Sequence, residues 1–141
     1  MVLWQSDANL VWKSPYESKG GGQRVLIVDD DPNLTRLLGV LLRSAGFESI
    51  FAHDGPSGLD AAESEKPDVI ILDLRMPCMD GRAVYRELRA RGVATPVLIA
   101  SAYGARRAYA ELGAQGWIEK PFEPDALIEA IVQQLNAKLT R

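Results

Sequence analysis

The sequence predicts a three-layer α/β sandwich, in which a parallel five-stranded sheet lies between two layers of helices. Two observations lead to this fold class. From Arg24 onward, short β-branched or apolar runs alternate with helical patterns five times, and such alternation is typical of a parallel sheet with right-handed crossovers. Three of the runs are continuously apolar, as expected for strands that are buried on both faces. The predicted strands are Val25–Val28, Ser49–Ala52, Val69–Leu72, Val97–Ala100 and Trp117–Ile118.

The first helix is predicted from apolar residues spaced at i, i+3, i+4, i+7 and i+8, which form one stripe. Asp31 is expected to cap this helix, Pro32 to occupy its first position and Gly46 to follow its end. Asp80 and Gly81 are expected to open a later helix. The apolar residues of the first stripe are Leu34, Leu37, Leu38, Leu41 and Leu42, those of the later helix are Val84, Tyr85 and Leu88, and those of the last helix are Leu127, Ile128, Ile131 and Leu135.

The composition is that of a globular protein with one domain. Of the 141 residues, 47% are hydrophobic and 25% charged, and the net charge is −3 with both signs spread along the chain. This balance argues against electrostatic binding to nucleic acid or anionic lipid. The single cysteine, Cys78, excludes an internal disulfide framework and fits a reducing compartment. No apolar run approaches the length of a membrane span, and the N-terminus lacks the pattern of a signal peptide, so we expect a cytoplasmic protein.

Residues 1–23 differ from the rest of the chain. They are irregular and end in Ser-Pro-Tyr-Glu-Ser-Lys-Gly-Gly-Gly-Gln, which indicates a flexible linker. The folded domain is therefore expected to comprise residues 24–141. Trp4, Trp12 and Tyr16 are unusual in a tail. Three interpretations are open: a linker left from an upstream domain, a misplaced start site, or a strand that packs on the folded domain.

The carboxyl ends of the predicted strands carry the candidate functional residues, because the ligand crevice of such a sheet lies there. Three aspartates follow the first strand, Asp73 ends the third, Ser101 ends the fourth, and Lys120 and Pro121 closely follow the fifth. If the strand order is 2-1-3-4-5, Asp29, Asp30 and Asp73 converge on one small site. Each of these residues alone is more typical of a cap, turn or loop boundary. Their joint placement at successive strand ends indicates a functional site.

The residue types predict phosphoryl chemistry. Crowded carboxylates repel one another unless a cation lies among them, and oxygen ligands favour Mg²⁺. Lys120 supplies a compact positive charge suited to a phosphoryl oxygen, and Ser101 supplies a hydroxyl donor. An acid cluster, an isolated Asp73, a hydroxyl and a lysine together indicate phosphoryl transfer to a carboxylate.

The sequence resembles the response-regulator receiver family of two-component signalling over about residues 24–138. Five matching strings in order carry the resemblance, and any one of them alone is weak. They are Val-Leu-Ile-Val-Asp-Asp-Asp-Pro at 25–32, Asp-Val-Ile-Ile-Leu-Asp-Leu-Arg-Met-Pro at 68–77, Met-Asp-Gly at 79–81, Ser-Ala at 101–102 and Lys-Pro-Phe at 120–122. The resemblance implies a (βα)5 flavodoxin-like fold with the strand order 2-1-3-4-5.

The resemblance also implies a role for each site residue. Asp73 would be the phosphoacceptor and a metal ligand. Asp30 would bind Mg²⁺ directly, Asp29 would bind it through water, and the main-chain carbonyl of Arg75 would be a further ligand. The phosphoryl oxygens would be held by Ser101, Lys120 and the main-chain N–H groups of Arg75 and Ala102. Trp117 occupies the place of a switch aromatic that swings inward with Ser101, and the Lys120–Pro121 bond would be cis.

The function implied by the resemblance is that of a signalling phosphoacceptor rather than of an enzyme. A sensor histidine kinase or phosphotransfer protein would donate the phosphoryl group, since His53 is the one histidine of the chain and is expected in a solvated loop. A downstream protein would be the target, without direct contact to nucleic acid or membrane, and a homodimer is compatible with this scheme. Because the chain ends with the fifth helix, we expect no DNA-binding domain and either a stand-alone regulator or the terminal receiver of a hybrid kinase.

Two other functional classes fit the sequence less well, and the sequence departs from the family pattern at two places. A small phosphatase with Asp73 as nucleophile would resemble haloacid-dehalogenase-like enzymes, which need an acid where this chain has Arg75. A purely structural interaction module with a dead site is disfavoured by the complete set of site residues. Trp117 is bulkier than the usual switch aromatic. The stretch from Ser101 to Gly113 is about three residues shorter than in the usual family pattern, which predicts a shortened fourth helix.

Overall fold

The computed structural model describes residues 20–139, without the side chains of residues 138 and 139. Strands and helices alternate strictly within this range. The elements are β1 (Arg24–Val28), α1 (Pro32–Ser44), β2 (Glu48–Ala52), α2 (Gly55–Ser64), β3 (Val69–Asp73), α3 (Gly81–Ala90), β4 (Val97–Ser101), α4 (Ala105–Leu112), β5 (Gly116–Glu119) and α5 (Pro124–Leu139). The expected boundary between tail and domain, at residues 23 and 24, stays a prediction.

The five strands of the described region form one parallel sheet in the order β2-β1-β3-β4-β5, which confirms the predicted topology. β3 and β4 are buried along their whole length, and β1 is buried from Val25 onward. β1 to β4 are each one residue longer than their predicted segments, and β5 is longer by one residue at each end. Polar residues at the strand ends still join the ladder, as the pairing of Arg24 with Glu48 shows.

Two apolar clusters lie on opposite faces of the sheet and give the three layers. One cluster joins α1 and α5 to the sheet through residues such as Leu42 and Ile131. The other joins α2, α3 and α4 to the sheet through residues such as Leu59, Leu88 and Ala108. The sheet is therefore covered on both faces, as the continuous apolar runs of its central strands require.

The ends of α1 and α3 are formed by the predicted residues. The Asp31 side chain accepts hydrogen bonds from the backbone N–H groups of Asn33 and Leu34, and Pro32 begins the helix. The backbone after α1 turns at Gly46, whose φ of +91° is in the left-handed region that favours glycine. The Asp80 side chain caps α3 through the N–H of Ala83.

Leu37 departs from the predicted stripe of α1. Its side chain is 66% exposed, whereas Leu38 and Leu42 are buried against the sheet. Five apolar residues at this spacing span a wider arc than the sheet covers, so the outermost member faces away from it. α4, with eight residues, is the shortest helix in the described region, in agreement with the short stretch between Ser101 and Gly113. Among residues 20–139, no helix is long and apolar enough to cross a lipid bilayer.

Candidate functional site

The carboxyl ends of four adjacent strands meet at one edge of the sheet. Asp29 directly follows β1, Asp73 and Ser101 are the last residues of β3 and β4, and Lys120 directly follows β5. The parallel register brings these positions level, since Asp73 lies opposite Ala100 and Ser101 opposite Glu119. Strand order reverses between β1 and β3, which is where ligands bind in open α/β sheets.

The acid cluster predicted from the sequence is present at this edge. Asp29, Asp30 and Asp73 each place a carboxylate oxygen within 4.8 Å of the others. Asp29 and Asp73 are buried, and Asp30 is exposed at the rim. The backbone N–H of Asp31 donates to Asp29 Oδ1 at 3.0 Å, which orients that carboxylate. The cluster therefore offers hard oxygen ligands with one side open to solvent.

Lys120 reaches across the sheet edge into the acid cluster. Its Nζ lies 2.5 Å from Asp29 Oδ2 and 3.6 Å from Asp73 Oδ1. The sequence had suggested a phosphoryl oxygen as the partner of this ammonium group, but not an ion pair with Asp29. That pair joins residues 91 positions apart, so only the folded topology reveals it.

The electrostatic state of Asp73 follows from its burial. Removal from water raises the pKa of the Asp73 carboxyl above its ordinary value, and the charges of Asp29 and Asp30 raise it further. The Lys120 ammonium and the backbone N–H of Arg75 act in the opposite direction without cancelling the effect of burial. A nearby cation would therefore stabilise the charged form of Asp73.

Ser101 lies beside Asp73 and is fully enclosed by protein, with 1% of its surface exposed. Its Oγ accepts a long hydrogen bond, 3.4 Å, from the backbone N–H of Tyr103. Its carbonyl oxygen accepts from the backbone N–H of Lys120 at 2.9 Å. The Lys120–Pro121 peptide bond is cis, as the family resemblance implied. The hydroxyl and the ammonium group are thus held on two adjacent strand ends.

Arg75 and Tyr103 stand together at the mouth of the site. The Arg75 guanidinium lies over the Tyr103 ring, 4.8 Å from its centroid, at the distance of a cation–π contact. Both residues line an open cavity of about 630 Å³ that also includes Asp30. The stack joins the segment after β3 to the segment after β4.

Gly81 is a site-supporting residue whose role the sequence analysis did not identify. Its backbone N–H donates to the carbonyl oxygen of Leu74 at 2.9 Å. A Cβ at this position would collide with the carbonyl oxygen of Asp73 and approach the Cα of Leu74 to 2.8 Å. Only a glycine therefore lets α3 begin against the backbone that presents Asp73 and Arg75. The string Met-Asp-Gly contained the glycine, but its close approach to the backbone of Asp73 and Leu74 appears only in the folded structure.

Three other residues singled out in the sequence lie outside the acid cluster. His53 is exposed, and its Nε2 lies 3.0 Å from the Thr35 hydroxyl oxygen. Cys78 is exposed in the loop after β3 and has a φ of +69°. Trp117 is 38% exposed on β5, opposite Ile99. Trp4, Trp12 and Tyr16 lie outside the described residues.

A comparison with protein-family models decides the classification. Residues 25–132 match the model of the response regulator receiver domain. The chain belongs to the response-regulator receiver family. The receiver domain is 39% identical over 115 residues to the transcriptional regulatory protein GlrR of Escherichia coli, a match that covers 79% of this chain and 26% of GlrR. It is 38% identical over 116 residues to the DNA-binding response regulator MtrA of Mycolicibacterium smegmatis, covering 81% of this chain and 51% of MtrA. The chain thus spans about a quarter to a half of the length of these relatives.

Solved structures show the same fold. The chemotaxis protein CheY4 of Vibrio cholerae superposes with a TM-score of 0.74 at 31% identity, covering 81% of this chain and 99% of that one. A putative response regulator from Chloroflexus aurantiacus superposes with a TM-score of 0.76 at 32% identity, covering 82% and 98% respectively. These receivers and the present chain share the CheY-like, flavodoxin-like arrangement of five parallel strands and five helices.

Proposed function

We propose that this receiver takes a phosphoryl group onto Asp73 from a partner histidine kinase or phosphotransfer protein, with the help of Mg²⁺. The observation that carries the proposal is the position of Asp73. Its carboxylate is buried at the strand edge, beside two further carboxylates and 3.6 Å from the Lys120 ammonium group. No ordinary packing role requires three acids and a lysine at one strand edge.

The transfer would be a displacement at phosphorus. A carboxylate oxygen of Asp73 forms the new P–O bond while the P–N bond of a phosphohistidine in the donor breaks. The imidazole leaves with the electron pair of the broken bond and needs no external oxidant or reductant. Because the only histidine of this chain, His53, is paired with Thr35, the donor imidazole belongs to another molecule. The product is an acyl phosphate on Asp73, so the protein acts as a phosphoacceptor and not as an enzyme with turnover.

The acid cluster fits a Mg²⁺ ion by the chemistry of its donors. Its three carboxylate oxygens lie within reach of one ion, and burial raises the pKa of Asp73 in a way that a cation would offset. We assign Asp29, Asp30, Asp73 and the main-chain carbonyl of Arg75 to the metal. When bound, the ion would neutralise charge that accumulates on the phosphoryl oxygens.

The remaining site residues would hold the phosphoryl group and report its presence. Lys120 would exchange part of its contact with Asp29 for a phosphoryl oxygen, and Ser101 would donate its hydroxyl to another. The backbone N–H groups of Arg75 and Ala102 complete the set of donors. Movement of Ser101 would free space for the Trp117 ring and change the surface presented to a downstream protein. In this proposal the receiver acts in the cytoplasm through protein contacts rather than by binding nucleic acid itself.

Acetyl phosphate, a small phosphodonor, tests the proposal without a partner protein. Incubation with Mg²⁺ should add one phosphoryl group per chain by intact-mass spectrometry, and EDTA should abolish the addition. Asp30→Asn, at the exposed rim of the cluster, should leave the fold intact and raise the Mg²⁺ concentration needed for half-maximal labelling. Labelling that proceeds equally in EDTA would contradict the assignment of the metal.

A further inference from the structure

A groove of about 730 Å³ runs along one side of α1. One wall is the outer face of this helix, with Leu37, Val40 and Leu41, and the other is the segment after β5, with Pro121 and Phe122. Leu37 and Val40 are 66% and 62% exposed. Neighbouring apolar side chains that are this exposed on a well-packed helix are typical of a surface that binds another polypeptide.

The described chain begins at one end of this groove. The backbone N–H of Gly20 donates to the carbonyl oxygen of Ala45 at 2.7 Å, and the N–H of Gly22 donates to that of Gly46 at 2.8 Å. These bonds hold residue 20 against the C-terminal end of α1. Ser44 lines the groove at that same end. The preceding 19 residues are therefore tethered where the groove opens.

The composition of residues 1–19 suits an apolar groove. Six apolar residues occur in two short groups, Val2-Leu3-Trp4 and Leu10-Val11-Trp12. The side-chain charges of Asp7, Glu17, Lys13 and Lys19 cancel, so no net charge opposes docking on a mainly apolar surface. Two tryptophans in so short a segment are costly to leave in water, since an aromatic side chain buries about 150–250 Å² when it is covered.

The length of the segment allows it to reach the whole groove. From Ser44 to Leu34 the groove follows α1 for about 15 Å, at about 1.5 Å per residue. Trp12 precedes Gly20 by eight residues, which extend to about 26–29 Å. A tethered segment is also present at a high effective concentration, which favours it over a free competitor.

We propose that residues 1–19 of this chain dock into the groove, with Trp12 packed against Leu37 and Val40. The docked segment covers the outer face of α1 and the segment after β5. That segment includes Lys120, so the docked tail lies beside the strand edge that carries Asp73. The inference rests on the groove and the tail and is independent of the proposed phosphoryl transfer.

Tryptophan fluorescence of the full chain tests the proposal. In Trp117→Phe, the indole signal comes from Trp4 and Trp12 alone, since the chain has three tryptophans. We expect emission at short wavelength and weak quenching by acrylamide. Adding Leu37→Glu and Val40→Glu should shift the emission to that of a solvated indole and raise the quenching constant severalfold. Both groove positions are exposed, so a thermal melt should show an intact fold. Ala110→Glu, which adds one charge at an exposed position of α4 away from the groove, is the matched control and should change nothing.

Each other outcome overturns the proposal. Free indoles before the groove substitutions would show that the tail does not dock. If the indoles are protected and the groove substitutions change neither emission nor quenching, the tail packs elsewhere. Protection that appears only with rising protein concentration, together with dimers in light scattering, would assign the groove to a second copy. As an independent check, Trp12→Ser should increase binding of a hydrophobic dye in the full chain, and Leu37→Glu should remove the increase.

Discussion

The Nζ of Lys120 lies 2.5 Å from Asp29 Oδ2, and this ion pair ties the end of β5 to the end of β1. The Asp29 side chain is 5% exposed and that of Lys120 is 20% exposed. Such a pair is partly removed from water, so loss of one partner leaves the other charge uncompensated. In the metal-free protein, Lys120 is thus the cation that balances two buried acids.

Lys120→Met should therefore destabilise the metal-free protein. Removing one partner of a fully buried pair costs about 3–5 kcal/mol, and the partial exposure of Lys120 reduces this to about 2 kcal/mol. Urea unfolding in EDTA measures this decrease in the free energy of unfolding. Millimolar Mg²⁺ should restore more stability to Lys120→Met than to the parent protein, because the ion supplies the missing positive charge. Lys120→Arg, which keeps the charge, is the control; equal losses in both variants would assign the effect to packing.

The raised pKa of Asp73 predicts how metal-free stability depends on pH. A carboxyl whose pKa is higher in the folded state binds more protons folded than unfolded. Stability contributed by this group is therefore fully present below the unfolded pKa of 3.8 and is lost as the pH rises through the raised folded value. At neutral pH the buried charge of Asp73 destabilises the folded state. Asp73→Asn should therefore stabilise the metal-free protein by on the order of 1 kcal/mol.

Thermal melts in EDTA at neutral pH and near pH 4 check this prediction. The increase in melting temperature caused by Asp73→Asn should be large at neutral pH and small near pH 4. Asp60→Asn, at an exposed position of α2, is the matched control and should give no comparable gain. A destabilised Asp73→Asn protein at neutral pH would mean that the contact with Lys120 outweighs the cost of burial.

The stack of Arg75 on Tyr103 predicts a long-lived phosphoryl group. Both side chains line the open cavity above the acid cluster, where they stand in the path of a hydrolytic water. Tyr103→Ala removes one partner of the stack and should speed the loss of phosphate severalfold. The decay of the phosphorylated mass after removal of acetyl phosphate measures the rate. Arg86→Ala, at an exposed position of α3 that does not line this cavity, is the control, and an unchanged rate in Tyr103→Ala would rule out shielding by this ring.

Trp117 provides an optical test of the proposed switch. Its side chain is 38% exposed on β5, so inward movement would bury further indole surface. In a protein with Trp4→Phe and Trp12→Phe, beryllofluoride, a phosphoryl mimic, should change the fluorescence and weaken acrylamide quenching. Ser101→Ala should diminish both responses, because the hydroxyl would no longer be drawn to the mimic. Unchanged quenching despite demonstrated binding of beryllofluoride would make Trp117 a fixed packing residue.

The sheet and the acid cluster could be predicted because local patterns determine them. Continuous apolar runs such as Ile70–Leu72 identify buried strands, and parallel strands bring their last residues to one edge. α2 carried a weaker signal, since it packs through small residues. A Cβ on Gly58 would lie 2.8 Å from a methyl group of Val28, so this helix approaches β1 too closely for a large apolar stripe.

The contacts that complete the site could not be predicted, because they join residues far apart in the chain. The ion pair of Lys120 with Asp29 spans the edge from β5 to β1, and the stack of Arg75 on Tyr103 joins the segments after β3 and β4. The exposure of Leu37 likewise depends on how much of α1 the sheet covers. Periodicity places a residue on a face of a helix, but the neighbouring elements decide whether that face is buried.

The position of the phosphoryl group decides whether Asp73 is the phosphoacceptor. After incubation with acetyl phosphate and Mg²⁺, reduction with borohydride converts an aspartyl phosphate into a stable alcohol that peptide mass spectrometry can locate. We expect this product at Asp73, in the parent protein and in a Cys78→Ser control, and none in Asp73→Asn. Reduction at another carboxylate of the parent protein, or undiminished labelling of Asp73→Asn, would contradict the assignment of Asp73 as phosphoacceptor.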